Sequence, residues 1–310
     1  MISDFHVHTN FSGDSSTPAR AQIAQAIHLS MPSLCITDHH DYDVHSGDID
    51  FNLNLEEYLP AMELLQQEYA PEIQLLTGME LGLQPHLGDY FDKLLTKYSF
   101  DFIIGSTHFV NGLDPYYPQF FDGREEARAY EEYFEVLLQN VKTLDQFDVV
   151  GHIDYIVRYG PSKNRFYRYE TYEDLLEELL KTIISKGKGI ECNTAGFRKG
   201  LKQPNPHPDI LRRYRELGGE IVTVGSDAHV PGDLGADFEL ARQVLLTCGY
   251  RPERGCDLFE EGMRRYCKHA QLRFLGSHAE RHLGYDIPFM DTEKEARTRA
   301  FARELWDAVH

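Results

Sequence analysis

Residues 74–82 read QLLTGMELG, and one letter in that string governs how the rest of the chain is read. The run is short and apolar, as expected of a β-strand buried in a domain. Within it stands Glu80. A carboxylate almost never lies inside a buried strand unless it is paired or bound to a metal. Glu80 is therefore a candidate bridge between two cations.

Outward from this string, further apolar runs rich in β-branched residues occur at 2–8, 33–38, 102–107, 149–153, 188–193 and 220–225. Helical patterns fall between most of them, at 18–30, 55–69, 125–144, 172–186 and 208–217. Strands alternating with helices imply βα units and a parallel sheet, here an α/β barrel, closed or nearly so. Active sites of such barrels lie at the C-terminal ends of the strands.

Every run carries, or leads directly into, a residue able to hold a metal. The first ends in His6 and His8, the second in Asp38, His39 and His40, and the third carries Glu80. His108 comes after the fourth, His152 ends the fifth, Glu191 and Asn193 end the sixth, and Asp227 and His229 come after the seventh. Thus His6, His8, His39, His108, His152 and His229, six of the fifteen histidines, gather at one rim, with His40 beside them. Each histidine alone reads as a satisfied core residue; together they do not.

The spacings agree. In His6-Val-His8, residues i and i+2 of a strand point to one side, so two imidazoles can grip one ion. Gly225-Ser-Asp227-Ala-His229 repeats that spacing. Asp14, in the loop of HVHTNFSGD, reads by itself as an Asx-turn residue. In Thr37-Asp38-His39-His40-Asp41, Asp38 is placed to orient a ligand histidine from behind. Imidazole nitrogen with carboxylate oxygen suits zinc, manganese or iron and not calcium. Spacing does not choose among the three.

Composition narrows the function further. The 310 residues carry a formal net charge of −19, and no basic stripe of the kind that grips nucleic acid is visible. No apolar run approaches the roughly 20 residues of a membrane span. The start, MISDFHVHTN, has neither a basic region nor an apolar signal core, so a cytoplasmic location is expected. The five cysteines form no CxxC pair and read as free thiols. The character changes after Tyr266. Residues 293–309, EKEARTRAFARELWDAV, place Ala296, Ala300, Phe301, Leu305 and Ala308 at near-helical spacing. The expected organisation is a barrel over 1–266 and a helical extension over 267–310. That extension would pack on the barrel or on a partner subunit, as in a homo-oligomer.

These strings, in this order, resemble the PHP (polymerase and histidinol phosphatase) family over roughly residues 1–266. The resemblance implies a distorted (β/α)7 barrel that binds two to three divalent transition-metal ions. Carried over by motif, His6, His8, Glu80 and Asp227 would hold the first ion, Glu80, His108 and His152 the second, and Asp14, His39 and His229 the third. Some members have histidine at the position of Asp14, where aspartate is a competent ligand.

Three stretches are most similar to the stand-alone histidinol-phosphatase branch: GHIDYIVRYG at 151–160, ECNTAGFRKG at 191–200 and GSDAHVPGDLG at 225–235. That similarity implies a metal-dependent phosphomonoesterase that converts L-histidinol phosphate to L-histidinol and phosphate in histidine biosynthesis. It also implies phosphate-binding arginines, Arg158 and Arg198, with Lys199 beside them; guanidinium forks suit that task. A hydroxide bridging two metals would be the nucleophile. Catalysis would fall to Asp227, His229 and His40, with His40 or His229 protonating the leaving alkoxide and His40 also near the substrate. His207, in PNPHPDIL at 204–211, departs from the expected pattern and reads as incidental. Rival readings are a family phosphoesterase acting on nucleotides or other small phosphate esters, a non-catalytic metal-binding module, and a metal-dependent amidohydrolase.

Overall fold

The structure is a computed structural model that describes residues 3–44 and 49–250. The expected C-terminal extension and its helix at 293–309 lie outside the described residues.

A parallel sheet forms the framework. Its strands are β1 (Ser33–Ile36), β2 (His39–His40), β3 (Gln74–Gly82), β4 (Phe102–Ser106), β5 (Val149–Val150), β6 (Gly189–Asn193) and β7 (Val222–Gly225). The order runs β1-β3-β4-β5-β6-β7, with β2 also pairing β3, and every pair is parallel. β1 and β2 are successive pieces of one line along β3: Ile36 pairs Thr77, and His39 pairs Glu80.

The expected strand at 2–8 is a correction. It makes only single bridges, Asp4 to Leu34 and Val7 to Ala228. Side chains take its ladder positions: the N–H of His6 donates to Asp4 Oδ1, and that of Val7 to Thr37 Oγ1. Side-chain acceptors of this kind compete with a regular ladder. The segment still closes the curled sheet. Cys35 N–H donates to Asp4 O on the β1 side, and Phe5 N–H donates to Val224 O on the β7 side.

Helices α1 (Ala19–His28), α2 (Leu55–Tyr69), α4 (Glu126–Thr143), α5 (Glu173–Ser185) and α6 (Pro208–Glu216) stand where the periodicity places them. Two others, α3 (Gly88–Lys97) and α7 (Phe238–Thr247), were not anticipated. α3 buries only Phe91 and Leu94, too short a stripe to stand out in sequence.

The helices cover the outer face of the sheet. In α2, Leu55, Tyr58, Met62 and Leu65 repeat every three or four residues and are buried. The Tyr58 hydroxyl donates to the carbonyls of Ile36 and Gly78, tying α2 to β1 and β3. Successive strand residues face opposite ways. On β3, Met79 and Leu81 join the apolar core while Glu80 faces the other side. On β6, Ile190 and Cys192 join it while Glu191 and Asn193 face inward. The barrel interior is therefore polar at this end.

Candidate metal centre

Glu80, 1% exposed, is the hub. Its Oε2 lies 3.1 Å from His6 Nε2 and 3.4 Å from His8 Nε2. Its Oε1 lies 3.2 Å from His108 Nε2 and 2.9 Å from His152 Nε2. Asp227 completes the first cluster, with Oδ1 3.6 Å from His8 Nε2 and 3.9 Å from His6 Nε2. Toward the mouth, Asp14 Oδ2 is 3.0 Å from His229 Nε2 and 3.7 Å from His39 Nε2. The expected ligands thus converge, although the clusters overlap: His39 Nδ1 also lies 3.1 Å from Glu80 Oε2, and His6, His152 and Asp227 form a group of their own.

The donor set fits metal ions. His6 Nε2 and His8 Nε2 are buried without a hydrogen-bond partner although carboxylate oxygens stand beside them. Ligand atoms about 2.0–2.2 Å from a shared ion stand roughly 3.0–3.6 Å from one another, close to the spacing of these clusters.

The imidazoles are held from behind. His6 Nδ1 meets Glu191 Oε1 at 2.6 Å, and His108 Nδ1 meets Asp41 Oδ1 at 2.8 Å. His8 Nδ1 meets Ser12 Oγ at 3.0 Å, and Ser12 Oγ donates to Asp38 Oδ1 at 2.8 Å. His229 Nδ1 meets the Asp227 carbonyl at 3.1 Å. With each Nδ1 donating, every Nε2 carries its lone pair into the site. Asp38 orients His8 through Ser12, where the sequence suggested a supporting role. Glu191 and Asp41 were not foreseen as supports. In sequence, only a carboxylate facing inward at the strand-six end and the density of residues 37–41 point to them.

Electrostatics follow from this packing. Burial alone would raise Glu80, but His6, His39 and His108 hold its pKa well below the carboxylate range. Burial opposes a charge on His6, yet Glu191, Glu80 and Asp227 outweigh it and hold its pKa well above the histidine value. Burial likewise opposes ionised Asp41, while His108 and His39 bring it to about 2. Buried carboxylates here stay ionised only because cations face them. Asp227 adopts a left-handed backbone, φ 56°, a conformation that aspartate tolerates better than most residues.

Beside the clusters opens a cavity of about 540 Å³. Its lining includes the charged and metal-competent His108, His152, Arg158, Arg198, Lys199 and Asp227 and the aromatic Phe109, Tyr116, Tyr117, Tyr155 and Tyr159. Arg198 Nη2 donates to the Ser226 carbonyl at 2.6 Å, while its Nη1 has no partner. Arg158 is committed elsewhere: Nη1 to Asp227 Oδ2 at 2.8 Å, Nη2 to Asn193 Oδ1 at 2.6 Å and Nε to Asn205 Oδ1 at 2.6 Å. It braces Asp227 while still lining the cavity.

His40 is a second correction. Its Nδ1 accepts from Leu53 N–H at 3.1 Å and its Nε2 meets the Tyr90 hydroxyl at 2.9 Å. Adjacent residues on a strand point to opposite faces, so His39 and His40 cannot both enter the site. Burial lowers the His40 pKa to about 4, leaving a neutral ring away from the cavity. His207 caps α6, its side chain accepting from Asp209 N–H.

A parallel barrel carrying clustered histidine and carboxylate ligands at its strand ends defines a metal-dependent hydrolase architecture. A family model described as the PHP domain matches residues 4–195. Histidinol-phosphatase of Lactococcus lactis is 29% identical, covering 80% of this chain and 91% of its own. "Probable histidinol-phosphatase" of Clostridium acetobutylicum is 31% identical, covering 86% and 100%. A crystal structure of histidinol phosphate phosphatase from Lactococcus lactis, complexed with zinc, L-histidinol and phosphate, superposes with a TM-score of 0.74. It is 28% identical and covers 81% of this chain and 95% of that one. The chain belongs to the PHP family.

Proposed function

We propose that this protein is a metal-dependent phosphomonoesterase that hydrolyses L-histidinol phosphate to L-histidinol and phosphate, a step of histidine biosynthesis. The observation that carries the reading is the convergence on Glu80 of five imidazoles, those of His6, His8, His39, His108 and His152, each with a ring nitrogen facing that carboxylate. The Lactococcus lactis structure, with its zinc, L-histidinol and phosphate, supports the substrate.

The ligands divide into three ion sets: His6, His8, Glu80 and Asp227; Glu80, His108 and His152; Asp14, His39 and His229. The ions are zinc, manganese or iron. When bound, such ions supply charge neutralisation at the phosphoryl group and a water acidic enough to attack at neutral pH. The chain supplies the rest. Arg198 offers its unpartnered Nη1 to a phosphoryl oxygen, and Lys199 adds positive charge at the same wall. Arg158 keeps the Asp227 carboxylate in place. His229 lines the cavity; burial opposes a charge on its ring, yet Asp14 and Asp227 hold its pKa above the histidine value. The tyrosine-rich wall, with Phe109, offers stacking partners for an imidazole ring.

Among the described residues no helix is long and apolar enough to cross a membrane. A cytoplasmic location completes the reading. Steady-state assays of L-histidinol phosphate beside a panel of nucleotide and sugar phosphates test it. The highest kcat/KM belongs to L-histidinol phosphate, and chelator abolishes turnover. A clear preference for another ester would replace the substrate.

A further inference from the structure

Two buried carboxylates touch ligand rings directly from behind the site, and they are not equivalent. Glu191 reaches one ring, that of His6. Asp41, 2% exposed, faces two. Its Oδ1 is 2.8 Å from His108 Nδ1, and its Oδ2 is 3.3 Å from His39 Nδ1. On the proposed metal sets, on which this inference rests, His108 and His39 belong to different ions. We infer that Asp41 is a positioning residue shared by the second and third ion sets, holding the His108 ring by a hydrogen bond and the His39 ring by charge, and so coupling the affinity of the two sites.

Gly82 supplies an independent observation. A Cβ built there would fall 2.0 Å from Asp41 Oδ1, and 3.1 Å from Asp41 Cα. Glycine inside a strand weakens it and often marks a close approach by another group. Here the β3 residue beyond Glu80 leaves the space that the Asp41 carboxylate fills. His108 then donates Nδ1–H to Asp41 and turns Nε2 to Glu80, 3.2 Å away. The His39 Nδ1 lies between Asp41 Oδ2, 3.3 Å away, and Glu80 Oε2, 3.1 Å away, and its Nε2 faces Asp14 at 3.7 Å.

The test is zinc affinity of the purified full-length protein, read as successive dissociation constants in competition with a chromophoric chelator, with circular dichroism checking the fold. Second-sphere partners are worth about 10–100-fold in metal affinity. Asp41→Asn weakens two binding steps by that order, and Glu191→Gln weakens one. Gly82→Ala, which keeps the charge but displaces the carboxylate, reproduces the two-step pattern. It also carries the test if Asp41→Asn does not fold. Weakening of a single step, or of none, in a folded variant overturns the sharing while leaving the metal centre standing. Fewer than two zinc-binding steps in the unaltered protein overturns the metal reading and this inference together.

Discussion

His6, His8, Glu80 and His152 are between 0% and 2% exposed, whereas the side chains of Asp14 and His229 keep 30% and 31%. The inner residues lie on or beside the sheet, and most of their rings are braced by a second buried group. The outer pair sits on loops, Asp14 after the N-terminal segment and His229 beyond β7. Both regions offer nitrogen and oxygen donors. They differ in how much of the geometry exists before an ion arrives. A braced, buried donor loses little freedom on binding, while a half-open one must be ordered and can exchange with solvent. On the proposed ion sets, the inner sites would therefore hold their ions tightly and the outer site would exchange its ion.

The largest effect should come from the hub. Glu80→Gln removes a charge facing both inner clusters. It should lower metal content, measured by elemental analysis, and cut kcat/KM by about a thousandfold or more, on the order of 4 kcal/mol. Unchanged metal content would erase the distinction between inner and outer shells. Arg198→Ala should come next, with kcat/KM down by about 10 to 1,000-fold, since charge-assisted bonds are worth roughly 1.5–3 kcal/mol each. Zinc content should not move, because arginine is not a ligand, and Arg198→Lys should recover part of the loss. Metal loss in the alanine variant would make Arg198 structural.

Asp14→Asn sharpens the contrast from the outer side. It should weaken one zinc step only, and added zinc should restore much of the activity, which a titration of rate against zinc would show. Failure of excess zinc to rescue it would place Asp14 with the inner group. The smallest catalytic effect is expected for His40→Ala. Its ring lies away from the cavity, so kcat/KM should stay within about threefold, a change under roughly 1 kcal/mol. The Leu53 N–H loses its acceptor, so stability should fall by about 1–3 kcal/mol in thermal or denaturant unfolding. A large kinetic defect in a stable variant would return His40 to the site.

Much of this was legible in the sequence because metal ligands are dense in chemistry and sit at strand ends. HVH at 6–8, Glu80 within its apolar run and SDAH at 226–229 marked both the barrel and its active rim. The misreadings share a physical cause. His40 was grouped with His39 by adjacency, although a strand turns neighbours to opposite faces. The bracing of Asp227 by Arg158 was not legible because its partners, Asn193, Asn205 and Asp227, are distant in sequence. The regular strand expected at 2–8 dissolved because Asp4 and Thr37 supply acceptors from side chains, which periodicity does not register. Glu191 showed only as an inward-facing acid, with nothing local to say that it would stand behind His6.

Asp4 also accepts from Ser226 N–H, 222 positions away, and from Gly235 N–H, 231 positions away. The N-terminal segment is thus seated by residues synthesised more than 220 positions after it. Until they emerge, His6 and His8 have no β7 edge to lie against, and Asp227 does not yet exist. Such distant contacts carry a large loop-closure cost and slow the final assembly. The inner cluster is completed by the last stretch of the barrel to be made, so an unfinished chain cannot assemble it.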